Sequence, residues 1–454
     1  MLKKKNSKSP FRRINDWLHL WLGLSSGLVI FIVGITGCIY VFEREIRNIT
    51  QPYQFVKPHD KAFLPPSALR EKARAFAFDQ LPDTGENRIR SLQYGDAGRA
   101  AIAAYQTRGM GYVMIYLDPY SGQVLRAKVL ERDFFRIVLD GHFYLWLPKN
   151  IGKTIVASSV LIFVVLLVSG LVMWWPKSLK KSTVDRSFKI KWKANFKRLN
   201  YDLHNVLGFY VMLAGLVLAL TGLVWGFEWY KKSLYWVTSG GRSLPGKEVH
   251  RSDTTFVAAA TANEASDRLW LQLRPASRNE QGSLQIQFPL KSDDVISVVT
   301  NPEHGTYYRR EFSRYDRYSL RELPQTGVFA KTFSKAAGAD QLNRMNYDIH
   351  VGAILGLPGK ILAFFASLIC GSLPITGFIF WLGRKKGKRH NRNPRQYKAS
   401  SGLVQKAALP DARPVGATSP AAGYPRINAV ALRGSADGAR TSVPAMWSNR
   451  GLPQ

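Results

Sequence analysis

Apolar residues in this chain gather into four long runs, near 20–42, 154–175, 206–229 and 360–382. Each is about 20 residues or more, the length that crosses a bilayer core of roughly 30 Å. Long polar segments separate the first run from the second and the third from the fourth. The clearest strand pattern there is YVMIYLDPYSGQVLRA, two alternating stretches about a turn at Asp118–Gly122. The second polar segment carries LQIQFPL and DVISVV, then a polar turn at Asn301–Gly305 before TYYRREF. Both segments read as α+β. The first apolar run follows a basic N-terminus, but it is too long for a signal h-region and FEREIRN after it offers no small-residue cleavage site. It reads as an uncleaved anchor. From about 397 the chain turns rich in Ala, Gly, Pro, Ser and Arg without periodicity, which predicts a disordered tail.

The chain has 454 residues and a formal net charge of +33, which by itself suggests a nucleic-acid binder. The placement of the charge argues against that. Lys3, Lys4, Lys5, Lys8, Arg12 and Arg13 precede the first span. Lys177, Lys180, Lys181, Arg186, Lys189, Lys191, Lys193, Lys197 and Arg198 fill the loop between spans two and three, and Arg384 to Arg395 follow span four. Lys and Arg in excess beside spans mark the cytoplasmic side, so both termini and this loop are expected in the cytoplasm and the two long segments outside. Contact with anionic lipid comes second, and no nucleic-acid partner is expected.

Four of the eight histidines sit at the ends of the spans, one each: His19, His142, His204 and His350. Ionisable residues beside apolar spans are costly and usually functional, and neutral imidazole is a common axial ligand of haem iron. The halves of the chain also match. Leu18-His19 with Gly23 corresponds to Leu203-His204 with Gly208. His142, Leu147-Pro148 and Gly152-Lys153 correspond to His350, Leu357-Pro358 and Gly359-Lys360. Such a repeat relates the halves by an axis along the membrane normal. His19 and His204 then share the inner depth, His142 and His350 the outer, giving two bis-imidazole pairs. Spaced glycines (Gly27, Gly34, Gly37, Gly215, Gly222) suit a flat macrocycle, although small residues also serve plain helix packing.

Two other readings stand beside this one: histidines as interfacial side chains within the aromatic belt, and a metal ion held without haem. His59, His250, His304 and His390 fall in loops or tails. Cys38 and Cys370 both lie inside spans, which excludes a disulfide framework and covalent c-type attachment, so a haem here is expected to be held non-covalently. Candidate propionate partners are Arg12, Arg13 and Arg198 inside and Arg344 outside. The spacing His204 to Trp225, about 32 Å along a helix, makes the separation of the two sites a concern for electron transfer.

DWLHLWLGLSSGLVIFIVGITGCIYVFE, GHFYLWLP, YDLHNVLGFY, YDIHVGAILGLPGK and the DPYSGQVL turn resemble the PepSY-associated transmembrane-helix family of iron-regulated bacterial inner-membrane proteins, over about residues 10–385. Members that look like this include ferric-siderophore reductases with two b haems. The resemblance implies axial ligation by His19, His204, His142 and His350, and electron delivery to an external ferric chelate.

The expected fold is membrane α-helical: four transmembrane helices as two span–external domain–span repeats, with two external α+β PepSY-like domains. The expected divisions are a basic cytoplasmic N-terminus 1–16, a first span 17–42, and an external domain 43–137. An interfacial helix with span two follows over 138–176, a basic cytoplasmic loop over 177–199, and span three over 200–229. A second external domain covers 230–345, an interfacial helix with span four 346–383, and a basic cytoplasmic tail 384–454. The expected function is a bacterial inner-membrane di-haem b oxidoreductase that passes electrons outward to a ferric siderophore and releases Fe(II). Arg309, Arg310 and Arg314, interleaved with Tyr307 and Tyr308, are the candidate acceptor-binding residues. No nucleotide-binding motif is present, so the electron donor is expected to be quinol, a separate flavoprotein or a reduced soluble carrier. The rival functions are a non-enzymatic PepSY-type binding or regulatory membrane protein and a siderophore or metal permease.

Overall fold

A computed structural model describes residues 9–81, 88–107, 110–176, 178, 180–246, 249–255, 262–273, 282–303 and 305–392. Lys3, Lys4, Lys5, Lys8, Lys177, His304, Arg395 and the tail from about 397 lie outside the described residues.

Among the described residues, four helices are long and apolar enough to cross a membrane: Pro10–Val41, Lys149–Trp174, Phe196–Gly226 and Ala353–Gly383. The protein is therefore a multi-pass membrane protein in a lipid environment. Helix α1 (Pro10–Val41) begins at Ser9, whose side chain accepts from the Arg12 amide, with Pro10 at the first helical position. Helix α2 (Glu43–Thr50) leads into the first polar segment: α3 (Pro66–Gln80), β1 (Arg88–Tyr94), β2 (Ala101–Thr107), β3 (Gly111–Leu117) and β4 (Val124–Val129). A short helix α4 (Phe134–Tyr144) precedes the second span, α5 (Lys149–Trp174). Pro148 is the N-cap of α5, as its place before the apolar run predicts. Helix α6 (Lys181–Phe188) lies in the basic loop. The third span comprises α7 (Phe196–Asp202), a π-helical turn Leu203–Leu207 and α8 (Gly208–Gly226). Then come α9 (Glu228–Thr238), α10 (Ala262–Leu273), β5 (Ser283–Gln287), β6 (Ile296–Asn301), β7 (Glu311–Tyr315), α11 (Gly338–His350) and α12 (Gly356–Arg392).

The two polar segments were expected as separate domains, and the structure corrects this. All seven strands form one antiparallel sheet in the order β4-β3-β2-β1-β5-β6-β7. The join is β1 against β5, with Leu92 opposite Ile286 and Tyr94 opposite Leu284. Each segment alone would leave β1 or β5 as an open edge, and pairing them removes both edges. One core serves the whole sheet. Leu69, Ala73 and Ala77 of α3 and Leu269 and Trp270 of α10 pack on the face formed by Leu92, Tyr105, Ile115, Ile286 and Val298. Strand alternation sends Gln93, Ile102 and Tyr116 to the other face.

Within the bundle, small residues set the helix spacing. A Cβ on Gly34 would lie 2.8 Å from the Cα of Gly371, so α1 and α12 touch backbone to backbone there. Ile30, Phe163, Leu167, Val211, Ala219 and Cys370 fill the middle of the bundle. Cys38 and Cys370 are both buried and free.

Candidate functional site

The fold brings the four histidines together in two pairs. His19 on α1 faces His204 in the π-helical turn, with ring centres 6.3 Å apart and ring planes at 87°. His142 on α4 faces His350 at the end of α11, at 6.2 Å and 67°. These are the pairs the repeat predicts, and each joins the first half of the chain to the second. π-Helical turns often occur at functional sites, and this one holds His204.

Every one of these rings spends Nδ1 on a hydroxyl of a neighbouring helix. His19 meets Ser169 Oγ at 2.7 Å, His142 meets Thr36 Oγ1 at 3.1 Å, His204 meets Thr376 Oγ1 at 2.9 Å, and His350 meets Thr221 Oγ1 at 2.9 Å. A hydroxyl has a single proton. Here that proton is directed to its own helix. Ser169 donates to the Leu166 carbonyl (3.0 Å), Thr36 to Ile32 (2.7 Å), Thr221 to Val217 (2.6 Å) and Thr376 to Leu373 (2.9 Å). With its proton engaged in this way the hydroxyl accepts from the imidazole, an arrangement that favours the tautomer with the ring proton on Nδ1 and the Nε2 lone pair free. His142 also directs Nδ1 at the Val33 carbonyl, 3.1 Å away. Burial pushes the second pair further toward the neutral form: His142 falls to about 4 and His350 to about 3.

The residue after each hydroxyl is glycine, and it lies under the ring. A Cβ on Gly170 would come 3.4 Å from Cε1 of His19, on Gly37 3.4 Å from that of His142, on Gly377 3.3 Å from His204 and on Gly222 3.3 Å from His350. Three of the histidines are also preceded, four residues earlier, by an asparagine that donates to the carbonyl of the same Ser or Thr. Asn15 bonds Ser169 O at 3.1 Å, Asn200 bonds Thr376 O at 2.9 Å, and Asn346 bonds Thr221 O at 3.2 Å. The fourth position, Val138, breaks the pattern. Each site is thus a histidine on one helix clasped by a Ser/Thr-Gly dipeptide on the next. Gly37 and Gly222 were singled out in the sequence for a different contact. The hydroxyls and asparagines were missed, although every span shows a Ser/Thr-Gly pair and the first shows two, Ser26-Gly27 and Thr36-Gly37.

The dimensions decide what such a pair can hold. A metal–imidazole bond is about 2 Å and the nitrogen lies about 1.1 Å from the ring centre, so two rings on opposite sides of one metal are about 6.3 Å apart. On a tetrahedral ion the same rings would be only about 5 Å apart. The observed 6.2 and 6.3 Å match the first case. Among the described residues, no group of three or more His, Cys, Asp or Glu side chains could hold a metal ion. Each pair therefore offers two imidazoles at the spacing that two ligands on opposite sides of one metal would need. A further feature fits an oxygen-bearing group: Trp225 is edge-on to His350 (5.2 Å between ring centres), and its buried Nε1 has no hydrogen-bond partner among the described residues.

His19 and Thr36, and likewise His204 and Thr221, are 17 residues apart. At roughly 1.5 Å per residue the two levels are separated by about 26 Å, less than the span-length estimate from His204 to Trp225.

Asp133 caps α4, accepting from the Arg136 amide, and pairs with Arg47 and Lys128. It thereby fixes the helix that carries His142. Asp348, fully buried, accepts from the Tyr307 amide (3.0 Å) and the Tyr308 amide (2.9 Å); burial raises it to about 6 against those bonds. Arg344 binds the carbonyls of Tyr308, Lys331 and Arg310 together with Glu311. It is a backbone anchor, so its expected role as a propionate partner is corrected. Arg198 likewise pairs with buried Asp202 at 2.7 Å.

The five candidate acceptor-binding residues divide. Tyr307 and Arg310 line a cleft of about 290 Å³ between the sheet and the ends of α1 and α12. Tyr308, Arg309 and Arg314 do not line it. Arg309 pairs with Glu303, and Arg314 bonds Gln325.

A family model described as the PepSY-associated TM region matches residues 17–384. No curated protein matches the chain.

Proposed function

We propose that this chain, which belongs to the family of PepSY-associated TM regions, is a bacterial inner-membrane di-haem b oxidoreductase that carries electrons outward to reduce a ferric siderophore and release Fe(II). The observation that carries the proposal is the pair of bis-histidine sites, at 6.2 and 6.3 Å, with every Nδ1 committed to a hydroxyl. Haem bound at each site supplies one-electron transfer between ferric and ferrous iron.

The chain's own residues do the rest. His19 and His204 hold the inner group and His142 and His350 the outer. Their tautomers are set by Ser169, Thr376, Thr36 and Thr221, as outer-shell partners of metal-bound imidazoles generally do. The four glycines beneath the rings admit the imidazoles at the required depth. Trp225 Nε1, without a partner among the described residues, would be available to donate to a carboxylate of a group bound there. Ile30, Phe163, Leu167 and Val211 exclude water between the two sites. A macrocycle held by each pair would be wider than its ligands, so the gap for an electron would be shorter than the 26 Å between ligand levels. Each half of the chain is read as span, external PepSY-like unit, span. The outward direction rests on the basic residues that flank the spans at the His19 end.

The test is a reduced-minus-oxidised visible spectrum of detergent-purified protein with a pyridine haemochrome assay. Two b haems per chain are expected, with one lost on His142→Ala or His350→Ala and the other on His19→Ala or His204→Ala. Absence of haem in protein from haem-replete cells would refute the proposal.

A further inference from the structure

The cleft beneath the sheet has an unusual balance of charge. Its lining holds Arg44, Arg47, Arg99, Arg310 and Lys360, against one carboxylate, Glu43. Arg47 is taken up by Glu43 and Asp133, and Lys360 by Glu45 at 2.7 Å. Arg44, Arg99 and Arg310 have no carboxylate ion pair among the described residues. Two of these three stack on aromatic rings, and Arg99 also donates to Asn48 Oδ1 at 3.2 Å. Arg99 lies 4.3 Å over Phe55, and Arg310 lies 3.9 Å over Tyr307. Like-charged groups gathered in a cleft repel one another unless an anion is shared among them. Planar guanidinium groups presented this way favour carboxylates, which they bind in bidentate fashion.

The cleft also connects to the outer histidines. From His350 the ring centres run 5.2 Å to Trp225, 6.3 Å on to Tyr347 and 4.4 Å to Tyr307, whose face carries Arg310. Tyr347 and Tyr307 are themselves part of the cleft wall.

We propose that this cleft binds a soluble polycarboxylate, with Arg44, Arg99 and Arg310 as its ligands. Resting on the function proposed above, that ligand is the carboxylate-bearing face of the metal chelate that accepts the electron. Acceptors are then selected by negative charge. A propionate of the outer haem offers the same chemistry from a second source. Against it, Arg99 and Arg310 stand on loops of the sheet, not on the helices that carry the histidines.

Gallium(III) citrate tests this, since gallium keeps the ferric charge and does not reduce. Calorimetric titration into the full-length detergent-solubilised protein is expected to show binding that weakens with salt. Neutral gallium tris(acetohydroxamate) is expected not to bind. Arg44→Gln and Arg310→Gln should each weaken citrate-complex binding at least about tenfold, with the haem spectrum unchanged. No binding to a protein that carries both haems would overturn the cleft and leave the oxidoreductase standing. Loss of the outer haem in these variants, with gallium citrate binding unaltered, would assign the cations to the propionates and overturn it too. Binding of the expected strength to a protein without haem would uphold the cleft and sink the oxidoreductase.

Discussion

The hydroxyl partners permit a graded prediction, because they are not equally irreplaceable. Among the described residues, Ser169 Oγ is the one hydrogen-bond partner of His19 Nδ1, at 2.7 Å. Ser169→Ala leaves that Nδ1–H without an acceptor inside the bundle, a cost of about 1–3 kcal/mol. Loss of an outer-shell partner of a metal-bound histidine costs about 10–100-fold in affinity, which is the same scale. His142 is buffered, since the Val33 carbonyl also lies 3.1 Å from its Nδ1. Thr36→Val, which keeps the shape, should cost only about 0.5 kcal/mol, or about twofold. The assay is transfer of haem to an excess of apo-globin, followed spectrally. In Ser169→Ala the inner half of the amplitude should accelerate about 10–100-fold while the outer half keeps its wild-type rate. In Thr36→Val both halves should stay near wild type. Equal rates in Ser169→Ala and wild type would refute the argument that the hydroxyl fixes the tautomer.

Other substitutions test neighbouring parts of the same design. In Gly377→Val, methyl groups would intrude on a ring that a Cβ already approaches to 3.3 Å, so haem per chain should fall from two to one with the outer signal intact. Asp133→Asn strips the charge that neutralises Arg47 and Lys128, at a cost of about 3–5 kcal/mol for a broken buried pair; in a thermal melt the outer haem should be released first. Asn200→Leu removes the bond to the Thr376 carbonyl, and the inner haem should dissociate several-fold faster; an unchanged rate would make that asparagine a packing residue. Gly34→Val drives a side chain into the Gly371 backbone and should lower the melting temperature with both haem spectra preserved in the folded fraction.

Much of this architecture was legible in the sequence because it rests on local patterns. Span positions follow from apolar run length. The strands on either side of Asp118–Gly122 follow from alternation and turn chemistry, and the histidine pairing follows from the match between Leu18-His19 and Leu203-His204. What could not be read depends on tertiary partners. Nothing local tells β1 to pair with β5, so one sheet was expected as two. The π-helical turn at His204 was hidden because its residues have ordinary helical propensity. Arg344 resembled an interfacial cation, yet the Tyr308, Lys331 and Arg310 carbonyls it serves come from distant stretches. The arginine–tyrosine run drew attention to the right neighbourhood, but strand geometry turned Arg314 away and left Arg310 in the cleft.

The division of every histidine pair between the two halves of the chain also orders its biogenesis. His19 waits unpaired in the membrane until the third span delivers His204, and His142 waits until His350 emerges near the end of synthesis. Over the same interval β1 is an open edge, closed only when β5 arrives. A ribosome stalled soon after the third span would therefore carry a product in which His19 and His204 can meet, while Thr376, which clasps His204, and His350 are still missing. Both sites therefore close only with the last part of the chain, which brings His350 to one pair and Thr376 to the other.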